Sequence, residues 1–161
     1  MRKTTWVAGV FIALLSICVV DSAMAQQVDH YTPDSLLKRS EPLRTQAAAG
    51  NGSASEALQK YGVDYTMLGF RNQDGAAELH EKFADVFIVI DGSATLLTGG
   101  ELSSPTVSGV GEMHGTSVLH GTSTPLAKGD VVHIPANTPH QLLISKGSTL
   151  TYFVIKIREK D

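Results

Sequence analysis

Acidic and histidine side chains stand immediately ahead of an apolar segment in the stretch ELHEKFADVFIVIDG, residues 78–92. Charged groups beside a protein core are costly unless they are paired, hydrogen-bonded or bound to a cation. Glu78, His80 and Asp85 therefore either form an exposed hairpin end or converge on a common partner. Glu78 and His80 are two positions apart, so on a strand their side chains point to the same side. A turn after His80 would bring Asp85 back on the neighbouring strand, also facing inward.

The elements that would position these residues are strands. From Val63 onward, short segments rich in β-branched and aromatic residues are separated by Gly, Asn, Asp and Pro. Many short strands without helices between them predict an antiparallel sandwich or barrel. The predicted strands cover residues 65–70, 86–90, 94–98, 131–134, 141–144 and 150–157.

Residues 26–62 are predicted to form a short N-terminal helical arm. The Thr-Pro-Asp sequence at residues 32–34 is a helix start, with a capping hydroxyl followed by proline at the first helical position. Pro42 is expected to break or kink this helix. A capping-box pattern predicts a second short helix over residues 53–60, ended by Gly62.

Two motifs in the chain resemble those of the cupin family of β-barrel proteins. The first family motif reads His-x-His, three or four residues, Glu, six residues, Gly. The second reads Gly, five residues, Pro-x-Gly, two residues, His, three residues, Asn. The spacing of both motifs is kept in this chain, and the corresponding positions are Glu78, His80, Asp85 and Gly92, then Gly129, Pro135, Asn137, His140 and Ile144.

The resemblance implies an all-β fold, an antiparallel, jelly-roll-like cupin β-barrel over residues 63–161. It also implies one divalent metal ion held by Glu78, His80, Asp85 and His140. Imidazoles and carboxylates bind Zn, Fe, Mn, Ni or Cu, so the ligand types leave the identity of the ion open. Glu78 stands where the family usually has a histidine. If it is not a metal ligand, it is a solvated residue at the end of a strand. Asp85 stands where the family has glutamate. If it is not a metal ligand, it pairs with Lys82 at a hairpin end.

The two carboxylates of this ligand set would cancel the charge of a divalent ion. Bound water is acidified less by a less electrophilic ion. We therefore expect weaker hydrolytic chemistry than a zinc site with three histidines supports.

Other histidines are weaker candidates. His133 alternates with Val131 on one strand face and is a candidate acid or base at the barrel mouth, since the unperturbed pKa of histidine lies near neutrality. A histidine hydrogen-bonded within the sheet is equally compatible with this position. Residues 99–128 are a Gly/Ser-rich insertion, too long for a simple hairpin loop, and long loops tend to be functional or mobile. His114 and His120 lie there, as part of a lid or simply solvated.

The beginning of the chain predicts export. A basic start, an apolar stretch over residues 7–20 and the sequence Ala-Met-Ala at residues 23–25 are the three parts of a secretory signal. We expect cleavage after Ala25 and a secreted or periplasmic protein. The only cysteine, Cys18, would leave with the signal. The net charge of −3 at pH 7 favours neither nucleic acid nor an anionic membrane as partner.

The fold alone does not determine the function. The leading hypothesis is an exported metal-dependent enzyme of oxygenase, isomerase or lyase type, acting on a small polar organic molecule. The alternative is a non-catalytic binder of a small ligand such as a sugar, with a structural metal or none. In the last case the four polar residues would hydrogen-bond to one another. A homodimer through an edge strand at residues 150–157 is expected by analogy with cupins.

Overall fold

The computed structural model describes residues 28–159. The two helices of the arm come first in this range. The predicted signal at residues 1–25 lies outside this range. Helix α1 spans Pro33–Arg39 and helix α2 spans Glu41–Ala49. Pro42 lies in the first turn of α2, where its missing N–H is not needed. The predicted break is thus a boundary between two helices.

The N-terminal end of α1 is capped as the sequence predicts. The hydroxyl of Thr32 accepts a hydrogen bond of 3.2 Å from the backbone N–H of Ser35, and Pro33 opens the helix. This cap satisfies one of the N–H groups that a helix end leaves unpaired. Within residues 28–159, no helix has the length and hydropathy needed to cross a bilayer.

The predicted second helix of the arm is wrong, because Ser53–Tyr61 is strand β1. It pairs antiparallel with β2, Asp64–Arg71, along its length. Its partly buried side chains Ala54 and Leu58 pack against the helices' apolar cluster. The ladder of bonds to β2 outweighs the local capping-box signal, since tertiary pairing routinely overrides propensity.

The remaining strands follow in chain order. They are β3 (Ala77–His80), β4 (Phe83–Thr98), β5 (Glu101–Ser103), β6 (Thr106–Gly109), β7 (Glu112–Gly115), β8 (Ser117–Leu119), β9 (Thr122–Ala127), β10 (Val131–Ile134), β11 (His140–Leu143) and β12 (Leu150–Arg158). The main sheet has the order β1-β2-β12-β4-β11-β3-β7-β6, with β9 and β10 also pairing with β4. Strands β5 and β8 form a separate two-stranded sheet, and all pairings within residues 28–159 are antiparallel, as predicted.

Strand β4 joins the two halves of the barrel. Two strands predicted at residues 86–90 and 94–98 are one strand of 16 residues. Its first half pairs with β12 and β10, and its second half pairs with β9 and β11. Between the halves, Gly92 has a φ of +84° and packs so closely that a Cβ would lie 1.9 Å from the carbonyl oxygen of Thr149. Glycine is therefore required where the strand passes from one half to the other.

The strands β2, β12 and the first half of β4 bury both faces. On their outer face, Leu68, Phe70 and Ile90 pack against Leu36, Leu43 and Ala47 of the helices. Their inner face contributes Phe87, Val89, Tyr152 and Val154 to the barrel core. Because side chains alternate along a strand, neighbouring residues serve different cores.

Two expectations about sheet edges and loops are corrected. Strand β12, predicted as an edge, lies between β2 and β4, so residues 150–157 offer no free edge for a dimer. The insertion at residues 99–128 is not a structureless loop but holds strands β5 to β9. One of these, β7, pairs with β3 and so reaches the predicted site.

Candidate metal centre

Three of the four predicted ligands converge on neighbouring strands. Glu78 and His80 alternate on β3, and His140 begins β11 directly opposite Glu78. One potential ligand atom from each residue lies within 4.8 Å of the others. Both histidines are buried, and the side chain of Glu78 is 29% exposed. The alternation of residues 78 and 80 predicted from the sequence is what aims both side chains inward.

Asp85 approaches this cluster from the opposite half of the barrel. It lies on the first half of β4, which does not pair with β3, so the predicted hairpin neighbourhood of these strands is wrong. One carboxylate oxygen, Oδ2, lies 3.6 Å from Nε2 of His80 and 3.6 Å from Nε2 of His140. The four side chains therefore meet across the barrel interior.

Each imidazole is oriented through its other ring nitrogen. Nδ1 of His80 is in hydrogen-bond contact with the carboxylate of Glu112, which stands directly opposite on β7. Nδ1 of His140 donates to the carbonyl oxygen of Thr138 at 2.9 Å. In both rings Nε2 is buried and has no hydrogen-bond partner among residues 28–159. When Nδ1 carries the only ring proton, such an arrangement presents the lone pair of Nε2 to the centre, as in metal-ligating histidines.

Asp85 has a partner that the sequence reading did not foresee. Lys156 stands directly opposite it on β12, and its ammonium nitrogen lies 2.6 Å and 2.7 Å from the two carboxylate oxygens. Both residues are buried. The predicted charge balance at the centre omitted this ammonium group, which offsets one of the two carboxylates. An ion here would keep more of its charge than the sequence predicted.

The charges of the site perturb its own titrating groups. Burial disfavours the charged form of Glu78. Contact with His80, the charge of His140 when that ring is protonated, and the charge of Arg71 together lower the pKa of the carboxyl to about 2. Burial lowers the pKa of His140. At His80 burial acts in the same direction, yet the surrounding carboxylates, Glu78 first among them, raise the pKa. Glu78 is thus ionised and ready to bind a cation at neutral pH.

A cavity of about 110 Å³ adjoins the cluster. Glu78 and Asp85 line it together with two cations, Arg71 and Lys156. Its remaining wall is largely apolar and includes Met67, Phe87, Tyr152 and Val154. Phe87 stacks edge-on against Tyr152, with ring centroids 5.3 Å apart, and also contacts His140. The space suits a small molecule with both polar and apolar parts.

The other predicted histidines lie elsewhere. His133 is exposed on β10, on the face opposite buried Ile134, and does not line the cavity. The structure therefore does not bring His133 to the cluster or to this cavity. His114 and His120 are exposed on the insertion, outside the cluster. Solvated side chains, the plainer of the two expectations, describe them.

Sequence reasoning missed the contacts that three residues make in the site, namely Arg71, Glu112 and Lys156. Lys156 had a detectable signal, since it interrupts the apolar run of β12 at a position alternating with Val154 and Tyr152. Arg71 similarly ends the apolar strand β2. A charged residue within an apolar strand indicates a buried partner. Glu112 had no such signal in its Gly-rich surroundings.

The donor set fits a first-row divalent ion. Ligand atoms on such an ion lie about 2.0–2.2 Å from it, and hence about 3–3.5 Å from one another. Nε2 of His80 and of His140 lie 3.7 Å and 3.9 Å from Oε2 of Glu78. A small contraction would bring all three into coordination. His80, His140 and Glu78 are thus the residues that would hold the ion, with Asp85 beside them.

Comparison with known proteins agrees with the observed fold. No family model and no curated protein matches the chain. The solved structure of TT1209 from Thermus thermophilus matches with a TM-score of 0.53 and 17% identity over 77% of this chain and 95% of that one. A protein with a double-stranded β-helix domain from Klebsiella pneumoniae gives a TM-score of 0.50 at 16% identity, covering 68% and 75%. A cupin-2 domain protein from Rhodospirillum rubrum gives 0.49 at 14%, covering 68% and 62%.

The chain therefore has the cupin fold, the double-stranded β-helix. The fold predicted from the two motifs is confirmed. At these identities the likeness concerns the fold alone, and what the site does must be argued from its own residues.

Proposed function

We propose that this protein binds one divalent transition-metal ion through Glu78, His80 and His140 and uses it to act on a small polar organic molecule. The observation that carries the proposal is the pair of buried Nε2 atoms without hydrogen-bond partners, both near the carboxylate of Glu78. A buried polar atom left unpaired costs about 1–3 kcal/mol. A cation would satisfy both nitrogens and the carboxylate at once.

The alternative of a purely polar cluster fits the distances less well. In that case the imidazoles would donate to the carboxylates at about 2.7–3.2 Å. The four separations between these Nε2 atoms and the oxygens of Glu78 and Asp85 are instead 3.6–3.9 Å. The gap is too wide for hydrogen bonds and has the scale of an ion's coordination sphere.

When bound, the ion would supply Lewis-acid or redox chemistry at open coordination positions. The chain's own residues would orient the ligand and exclude water through the apolar wall of the cavity. With His133 outside the cavity, Lys156 becomes the candidate for donating a hydrogen bond to the bound molecule. It lines the cavity while Asp85 fixes its ammonium group.

Export would influence which ion is found. The predicted signal at residues 1–25 has no twin-arginine pair, since Arg2 is followed by Lys3. A chain exported unfolded would acquire its ion outside the cytoplasm. There Cu and Zn outcompete Mn and Fe at equal availability. Protein recovered from its exported compartment is therefore the right material for metal analysis.

Metal analysis of purified variants tests the site. We expect about one metal ion per chain in the wild type, and loss of the ion in His140→Ala while the circular dichroism spectrum remains native. His133→Ala is the matched control, because it removes an exposed histidine outside the centre and should keep the ion. Wild-type protein that binds no first-row ion, or equal metal content in both variants, would contradict the proposal. Turnover that requires the ion then separates an enzyme from a non-catalytic binder.

A further inference from the structure

Arg71 is a cation whose hydrogen-bonding capacity is largely unused. Its side chain is 12% exposed and lines the cavity beside the metal centre. The guanidinium group has five N–H donors. Within residues 28–159, the one hydrogen bond of its side chain is from Nε to the hydroxyl of Tyr152, at 3.1 Å. The guanidinium keeps some exposure and lines the cavity, so its remaining donors are available to an acceptor bound there.

Glu78 does not provide that acceptor. Its Oε1 lies 3.9 Å from Nη2 of Arg71, beyond hydrogen-bond distance, and its other oxygen faces the two histidines. The guanidinium position depends on the lack of a side chain at Gly75, where a Cβ would lie 2.7 Å from Nη1. Gly75 thus leaves room for the guanidinium, and Glu78 forms a long ion pair with it but no hydrogen bond.

The balance of charge in the cavity also favours an anionic ligand. In the cavity, the cations Arg71 and Lys156 offset the carboxylates Glu78 and Asp85. A divalent ion would add a positive charge that Glu112, on the far side of His80, reduces but does not cancel. Uncompensated charge in a buried site is costly, and an anionic ligand removes the cost.

The shape of the cavity narrows the kind of anion. Its volume of about 110 Å³ is below the 150 Å³ of an enclosed cavity that holds benzene, so a ligand of roughly four to six non-hydrogen atoms fits. Met67, Phe87 and Val154 offer an apolar wall that inorganic phosphate could not use. The planar fork of arginine matches a carboxylate with two parallel hydrogen bonds.

We propose that the cavity binds a short-chain carboxylate, held by Arg71 at one end and presented to the metal centre. This inference rests on the proposed function, for which it names the ligand class. Arg71 acts here as a binding residue that sets specificity for a negative charge.

Calorimetric titration of the zinc-loaded protein tests the inference, with acetate, propionate and lactate as probes. Each acid is compared with its neutral amide, which has nearly the same size and shape. We expect at least one acid to bind saturably and its amide to bind at least tenfold more weakly. Arg71→Gln should weaken binding of the acid at least tenfold while keeping its zinc. Arg39→Gln, which changes an exposed arginine of α1 (46% exposed), should leave it unchanged.

The outcomes separate the inference from the proposed function. Stoichiometric zinc with no saturable acid, or with acid and amide bound equally, overturns the carboxylate site and leaves the metal centre standing. Equal binding by wild type and Arg71→Gln does the same. Failure of the wild type to bind any metal overturns both. If Arg71→Gln does not fold, the comparison of acid with amide on the wild type decides the matter alone.

Discussion

At the scale of single residues, the contact between Glu112 and His80 gives the insertion a role in the centre. The two residues are directly opposite on β7 and β3, and the carboxylate contacts Nδ1 of the ring. A carboxylate on one ring nitrogen fixes the tautomer and turns the other nitrogen toward the metal. Glu112 is therefore a positioning residue, acting through His80.

Replacing this carboxylate should weaken metal binding without unfolding the protein. In Glu112→Gln the amide can still accept a hydrogen bond but carries no charge, so we expect the dissociation constant for zinc to rise about 10–100-fold. Competition with a chelating dye measures it. Glu81→Gln is the control, since Glu81 is an exposed neighbour of His80. An unchanged zinc affinity in Glu112→Gln, or an equal loss in both variants, would show that the contact does not position His80.

At the scale of elements, the passage of β4 through both halves of the barrel depends on Gly92. Gly92→Ala combines a positive φ of +84° with a Cβ 1.9 Å from a backbone oxygen. We expect it to lower the free energy of unfolding by about 3 kcal/mol or more. Urea denaturation measures the loss.

Gly129→Ala separates the two causes. Gly129 has a φ of +93°, but a Cβ there would meet no atom within 4 Å. We expect a cost of about 1–2 kcal/mol from backbone strain alone. If the two variants lost equal stability, the close packing against Thr149 would not matter to the fold.

Sequence reasoning predicted the elements whose signal is local. The strands β2, β10, β11 and β12 lie where alternation and turn residues placed them. Strand β1 was missed because Ser53–Tyr61 carries a helix-start pattern, while the pairing that makes it a strand comes from β2. The short strands of the insertion were missed for the same reason, since their partners and not their composition determine them.

The candidate site divides in a similar way. Motif spacing identified Glu78, His80, Asp85 and His140, and the structure brings all four together. The Lys156 partner of Asp85 is 71 residues away in the chain, and the Glu112 partner of His80 is 32 residues away. Only strand register connects such residues, and the sequence does not reveal register between strands that are distant in the chain.

At the scale of the whole molecule, the helical arm is part of the folded unit. Arg44 of α2 lies over the ring of Phe70 at 4.7 Å and donates to the hydroxyl of Thr151 at 3.3 Å. Leu43 is 4% exposed in the cluster between helices and sheet. The arm therefore covers apolar strand surface that would otherwise meet water.

Truncation of Leu43 should destabilise the whole unit. We expect Leu43→Ala to cost about 2–5 kcal/mol of unfolding free energy. Leu119→Ala is the matched control at a residue 41% exposed, with an expected cost of about 1 kcal/mol or less. Far-ultraviolet circular dichroism and tyrosine fluorescence should report the same transition. Separate transitions, or equal losses in both variants, would mean that the arm folds apart from the barrel.

Strand β2 has side chains on two opposite faces, and in this way it connects the helical arm with the candidate site. Phe70 lies beneath α2, and Arg71, the next residue, reaches the opposite interior. Displacement of the helix would tilt the guanidinium directly, with no loop between them to absorb the movement. Substitutions in the arm would then affect the proposed ligand site as well as folding.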